Sequence, residues 1–309
     1  MTREDDVAMS PDVAAELLHA EVAHLLARAG VPVLHVKGPT VVRWLHPGGG
    51  RPWGDVDVLV PRDRLDEALA VLAAHGFGER FPGVTHHTSE DHAVVLARPD
   101  LSPGNGEVDL HHRFPGITVP PAQAWSVLWA RRVAAELAHL PVWFPDLSTR
   151  AVLVALNTAR SGTAQAMLDL ERLCGPDATL DWSDVAALAD QLGALPALRA
   201  GLELVPAGAA VVRDTPALAA VDVTAEWRLR TVGASRTAVR VAELGSLSLR
   251  HQLVQVARWL VPHPSVMRMR DPRTAASRGA LARGYGRRLV EGARATPAAL
   301  RAVRGARRG

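Results

Sequence analysis

Two short runs decide where this chain must build a sheet. VPVLHVKG (31–38) is a nearly unbroken apolar run closed by a glycine, and GDVDVLV (54–60) sets Asp55 and Asp57 in alternation with valines. Side chains in a strand point to opposite faces in turn, so the two aspartates share one face while the valines supply the other. Carboxylates this close repel each other unless a cation lies between them, and hard divalent cations prefer oxygen ligands. A third run, Glu107-Val108-Asp109-Leu110-His111, repeats the pattern, with Glu107, Asp109 and His111 on one face and Val108 and Leu110 on the other. If this strand neighbours the aspartate strand, a third carboxylate joins the first two. Such a group would hold one or two Mg²⁺ ions, clamp the phosphates of a nucleotide and deprotonate an acceptor hydroxyl.

Lys37 stands at the end of the first run. It is the single lysine among 35 basic residues, the other 34 being arginine. A compact ammonium kept against that bias marks a position where guanidinium geometry does not serve. Gly38 beside it lets a phosphate approach the backbone, and the helix expected from Pro39 to Leu45 presents free N–H groups to an anion.

Composition limits the alternatives. The net charge of +3 hides a strong asymmetry, because residues 268–309 carry twelve arginines against Asp271 and Glu291. The basic character belongs to that tail, so it says little about nucleic-acid binding by the body. The tail has few aromatics for base stacking apart from Tyr285, and reads as a solvated or docking helix for a polyanion or partner. Cys174 is the only cysteine, which excludes an intrachain disulfide and a cysteine metal cluster. The acidic start MTREDD lacks an apolar signal region, and no stretch of about 18 apolar residues escapes interruption by charge. A cytoplasmic protein without a membrane span is expected. The histidines include no HExxH spacing, and the GGG loop at 48–50 lacks the phosphate-loop sequence.

Along the chain, Ser10, Pro11 and Gly30 bracket a helix over 11–29. Strand 31–37, helix 39–45, a loop at 46–54 and the aspartate strand follow. Asp63 is placed to cap a helix over 64–75. Strand-like runs fall at Val84–Thr88, His92–Ala97 and Glu107–His112, the last two joined by hairpin-type turn residues at 98–106. Helical periodicity then dominates 148–160, 164–173, 183–192, 218–245 and 247–260, with Asp181 of DWSD as a cap.

VLHVKG (33–38), RPWGDVDVLV (51–60) and VDLHHRF (108–114) together resemble the nucleotidyltransferase superfamily, which includes kanamycin nucleotidyltransferase and DNA polymerase β. The likeness is closer to a bacterial family of uncharacterised nucleotidyltransferases, and continues in LPVWFPDLSTRAVLVAL (140–156) and LDWSDVAALA (180–189). The resemblance implies an α+β fold, with a mixed N-terminal sheet flanked by helices and an all-helical C-terminal region. The change to helical periodicity near 120–147 and the arginine-rich end divide the chain into a nucleotidyltransferase-like domain (1–140), a helical domain (141–267) and an arginine-rich helical tail (268–309). The resemblance further implies transfer of a nucleoside monophosphate from an NTP to a hydroxyl or phosphate of an unknown acceptor, dependent on Mg²⁺ or Mn²⁺. Asp55, Asp57 and Asp109 become metal ligands, with Asp109 also the general base. Lys37, Gly38 and Arg51 would lie by the phosphates, with Glu107 and His111 as further candidates. Pro39 stands where the superfamily usually has Ser, Asp109 where the closer family usually has Glu, and Asn157 where it often has His. Two rival readings use the same fold: a toxin- or antitoxin-type modifier of tRNA or protein, and a non-catalytic binding module.

Overall fold

The computed structural model describes residues 10–80, 92–99, 106–245 and 248–308. The chain divides into two compact units, one comprising 1–80, 93–114 and 119–150, the other 81–92, 115–118 and 151–309.

The first unit begins with α1 (Pro11–Arg28), opened by Pro11 and followed by Gly30 at φ 72°. Ser10 sits at the expected N-terminal position, yet its side chain makes no capping hydrogen bond. Then come β1 (Leu34–His35), α2 (Pro39–Leu45), β2 (Val56–Leu59), α3 (Leu65–Ala74), β3 (Gly78–Glu79), β4 (Ala93–Ala97) and β5 (Glu107–His111). These strands form one five-stranded sheet in the order β1-β2-β5-β4-β3. β2 and β5 run parallel while the other pairs are antiparallel. The sheet is therefore mixed, as expected. The apolar residues of the two central strands, Val56, Val58, Val108 and Leu110, share a core with Leu18, Val22 and Leu26 of α1 and Leu65 and Leu72 of α3.

Local departures have physical causes. The run 31–37 pairs as a strand only at Leu34 and His35, with one further bond from the Val36 amide to the Asp57 carbonyl. Asp63 does not cap α3; it lies inside a 3₁₀ turn at Arg62–Arg64 that precedes the helix. The run Val84–Thr88 falls outside the described residues, as does most of the 98–106 turn. The unit closes with α4 (Pro121–Ala130) and an unanticipated hairpin of β6 (Arg132–Leu137) and β7 (Leu140–Pro145). Its two-residue turn holds Ala138 and His139 at φ 46° and 63°, the left-handed geometry that matches strand twist. Leu137, Val142 and Phe144 add to the core.

The second unit is helical: α5 (Leu147–Ser161, entering from the first unit), α6 (Ala164–Leu173), α7 (Trp182–Gln191), α8 (Leu195–Leu202), α9 (Pro206–Asp214), α10 (Pro216–Ala219), α11 (Ala225–Thr231), α12 (Arg236–Leu244), α13 (Leu249–Leu260), α14 (Pro264–Arg270) and α15 (Arg278–Ala306). Asp181 caps α7 through the amides of Ser183 and Asp184. The helix expected over 218–245 is three helices instead. The run Val221-Asp222-Val223-Thr224, with three β-branched residues, interrupts it once, and Gly233 at φ 65° turns the chain again. Much of the arginine-rich end is the 29-residue α15, which continues through Pro297. Among the described residues no helix is long and apolar enough to cross a membrane.

Within this unit α8 approaches α5 closely enough that a Cβ on Gly201 would lie 2.3 Å from the Ala155 carbonyl oxygen. Gly201→Ala is expected to lower stability by about 1–3 kcal/mol through overpacking. The check is the urea midpoint at unchanged m-value; an unshifted midpoint would show that this contact yields freely.

Candidate active site

The alternation of β2 and β5 carries Asp57 and Asp109 on the face opposite the valine core. Parallel pairing then sets them side by side, with Asp57 opposite Asp109 and Leu59 opposite His111 in register. On the other flank, β1 runs into Lys37, whose Nζ donates to Asp57 Oδ1 at 2.5 Å. His111 Nε2 lies 2.9 Å from the same oxygen. Asp57 is thus a buried carboxylate, 3% exposed, approached by two nitrogen groups from two neighbouring segments.

The electrostatics follow from this geometry. Burial pushes the Asp57 carboxyl up, but the Lys37 ammonium and the His111 hydrogen bond outweigh it and hold Asp57 far below the usual carboxylate range. Burial likewise pushes Lys37 down, and the charge of Asp57, its hydrogen bond, and then Asp109 and Asp55 overcome that and raise it. Lys37 therefore stays an ammonium and Asp57 a carboxylate. With Asp57 ionised, Nε2 of His111 must carry the proton it donates, so in this arrangement His111 orients Asp57.

The turn that delivers Lys37 explains Gly38. It sits at φ 61°, and a Cβ there would lie 3.0 Å from His19 Nε2 and 3.1 Å from Trp53 Cε3. Only glycine fits both the backbone and the space. His19 of α1, fully buried, reaches the Asp55 carbonyl through Nε2 at 3.3 Å and His35 through Nδ1 at 2.8 Å. If Nε2 of His19 donates to the carbonyl, its Nδ1 accepts from Nδ1–H of His35. The Nε2 atom of His35 is then a bare lone pair, and it is buried without a hydrogen-bond partner among the described residues.

Ligand atoms of Asp57, Asp109 and His111 all lie within 4.8 Å of one another. Residues 12–207 match the family described as uncharacterised nucleotidyltransferases. The chain belongs to that family. It is a nucleotidyltransferase, and the reaction class that comes with membership is transfer of a nucleoside monophosphate. Two solved structures are similar to it. The antibiotic-resistance factor ANT(2'')-Ia is 13% identical with a TM-score of 0.41, over 58% of this chain and 91% of that one. An antigenic nucleotidyltransferase-like protein from Paracoccidioides brasiliensis is 18% identical with a TM-score of 0.38, over 62% of this chain and 90% of that one. No curated protein matches.

The sequence-derived candidates of this nucleotidyltransferase do not all occupy one place. Lys37, Asp57, Asp109 and His111 converge. Asp55 precedes β2, is exposed, and lies outside the 4.8 Å cluster, though its charge reaches Lys37. Glu107 pairs with Arg80 towards the start of β5. Arg51 is half-buried on the loop that leads to β2. α2 has seven residues, too short a helix to make its N-terminus an anion site on its own account. His19 and His35 carried no signal in the sequence, since a histidine on an apolar helix face reads as core.

The two carboxylates suit a hard divalent cation, and Asp57 already balances a positive charge there. His19 gives the site a pH signature. Burial pushes its pKa down from 6.5 to about 4, with Asp57 and the Asp55 carbonyl pulling the other way. A folded-state pKa below the unfolded one contributes stability that is complete above pH 6.5 and is lost as pH falls from 6.5 towards 4. His19→Gln should flatten urea-midpoint stability across this window by about one proton, ~1.4 kcal/mol per pH unit. An unchanged slope would mean that His19 is not buried neutral.

Proposed function

We propose that this nucleotidyltransferase moves a nucleoside monophosphate from an NTP to a hydroxyl or phosphate of an acceptor with the help of a divalent cation, Mg²⁺ or Mn²⁺. The observation that carries the reading is the register of Asp57 beside Asp109, with Lys37 donating to Asp57. Asp57 and Asp109 would hold the cation, with Asp55 supplying charge at its outer edge. When bound, the cation neutralises charge on the phosphates and on the leaving pyrophosphate.

The chain's own residues do the rest. His111 keeps Asp57 in one orientation through its Nε2–H. Lys37, whose Nζ donates to Asp57, is the ammonium that would meet the phosphate oxygens, while Gly38, buried beneath His19 and Trp53, serves the turn that delivers Lys37 and offers no open backbone to a phosphate. Arg51, on the loop before β2, adds a second cation for the phosphates or the acceptor. Asp109, half-buried and bordering the site, accepts the proton of the acceptor hydroxyl. The acceptor oxygen bonds to the α-phosphorus as the bond to the α–β bridging oxygen breaks, and pyrophosphate leaves with the bonding pair.

Thermal shifts with each of the four NTPs, with and without Mg²⁺ or Mn²⁺, test binding. At least one NTP should stabilise the protein only when the cation is present, by about 2.7 kcal/mol at a hundredfold excess over Kd. Asp57→Asn and Asp109→Asn should abolish that shift, and pyrophosphate release with the matching acceptor should fall by on the order of 10²–10³-fold or more. Wild-type turnover in Asp57→Asn would refute the mechanism.

A further inference from the structure

In the second unit, α13 is built inside out. At about 100° per residue, Leu249, Leu253 and Leu260 fall within one narrow strip along the helix, and that strip is turned to the outside. Leu249 is 78% exposed and Leu253 73%, while the half-buried residues are Gln252, Gln255, Val256 and Trp259. No residue of the helix is buried. Single apolar residues on a surface are ordinary, but a helix that turns its leucines outward and its glutamines inward reverses the usual pattern. Its inward face is nevertheless held in place. The Trp259 carbonyl accepts two hydrogen bonds from Arg288 of α15, and the Arg240 guanidinium lies 5.7 Å from the centre of the Trp259 ring.

The charge around this strip has one sign. The chain carries no carboxylate between Glu243 and Asp271, a stretch that includes all of α13 and α14. Arg250 and Arg258 flank the leucines, are exposed, and have no ion-pair partner among the described residues. Val261, just past the helix, extends the exposed apolar surface. This combination narrows what can cover the face. A second copy of the chain would oppose arginine to arginine, because a two-fold contact sets a surface against itself. A plane of anionic lipid headgroups answers both halves of the pattern. Its acyl boundary takes up the leucines, and its phosphates meet guanidiniums carried on long, flexible stems.

We infer that α13 docks on an anionic lipid surface, with Leu249, Leu253 and Leu260 entering the headgroup boundary and Arg250 and Arg258 against lipid phosphates. Its 12 residues make a helix about 18 Å long, well short of the roughly 30 Å hydrocarbon core, so it lies in the plane of the membrane. The contact is peripheral and reversible. It uses no residue of the Asp57 centre, so it neither supports nor depends on the nucleotidyl-transfer reading.

The test is co-sedimentation of the full-length protein with vesicles, without nucleotide. One set contains equal parts phosphatidylglycerol and phosphatidylcholine, the other phosphatidylcholine alone. Wild type should sediment with the anionic vesicles far more than with the neutral ones, and less as salt is raised. Leu249→Gln/Leu253→Gln should weaken that binding at least tenfold at an unchanged melting temperature, since both leucines are exposed. Arg250→Gln/Arg258→Gln should weaken it by on the order of tenfold or more. Val232→Gln, an exposed apolar position before α12, should bind like wild type. The inference is overturned if wild type binds neither vesicle or both equally, or if Val232→Gln loses as much as the leucine variant. It also fails if the leucine variant binds as wild type does, which would leave the arginines of α15 as the contact. Light scattering gives the last outcome: a wild-type dimer that Leu249→Gln/Leu253→Gln converts to a monomer would assign the face to a second copy instead.

Discussion

The first unit is organised around a buried negative charge. Asp57 lies on a strand whose four residues are all buried, and an ionised carboxylate there costs several kcal/mol unless it is compensated. Lys37 and His111 supply the compensation from opposite sides, one following β1 and the other ending β5. The charge at Asp57 thus makes a demand on topology, because both neighbouring strands must be in place and in register before it is tolerable. Removing either partner leaves a buried charge short of its balance, a larger penalty than the pair itself returns in stability.

That same demand prepares chemistry. A carboxylate kept ionised under all ordinary conditions is ready to bind a cation, and an ammonium kept protonated beside it is ready to meet a phosphate. The floor beneath is equally constrained. His19, Trp53 and Gly38 fill one another's space, with the rings of His19 and Trp53 5.4 Å apart. Gly38 has no room to become anything larger, and the Asp55 backbone is tied to α1 through His19. The strands that carry this electrostatic arrangement lie within the residues 12–207 that match the nucleotidyltransferase family.

How much of this was legible in the sequence depends on whether the signal was local. Alternation exposed β2 and β5, and the Lys-Gly ending marked the end of β1, because each is written within a few residues. The pairing of Asp57 with Asp109 is a relation between residues far apart in sequence, and alternation alone leaves strand order open. Asp55 illustrates the limit: it has the right parity, yet the strand begins only at Val56 and leaves it exposed. The β6–β7 hairpin was hidden because Ala138 and His139 occupy a turn that usually advertises itself with Asn or Gly. His19 and His35 were hidden for the opposite reason, since a buried histidine inside an apolar pattern looks like packing. The long helix expected over 218–245 failed because helical periodicity persists across a break that only Gly233 and the β-branched run reveal.

On the proposed reading, the carboxylates of residues 57 and 109 create one divalent-cation site. Electron paramagnetic resonance titration with Mn²⁺ tests it without needing the acceptor to be known. One tight Mn²⁺ per chain is expected, lost in Asp57→Asn and in Asp109→Asn and retained in Glu107→Gln, whose carboxylate is engaged with Arg80. Tight Mn²⁺ binding unaffected by loss of either aspartate, or none in the wild-type protein, would contradict it.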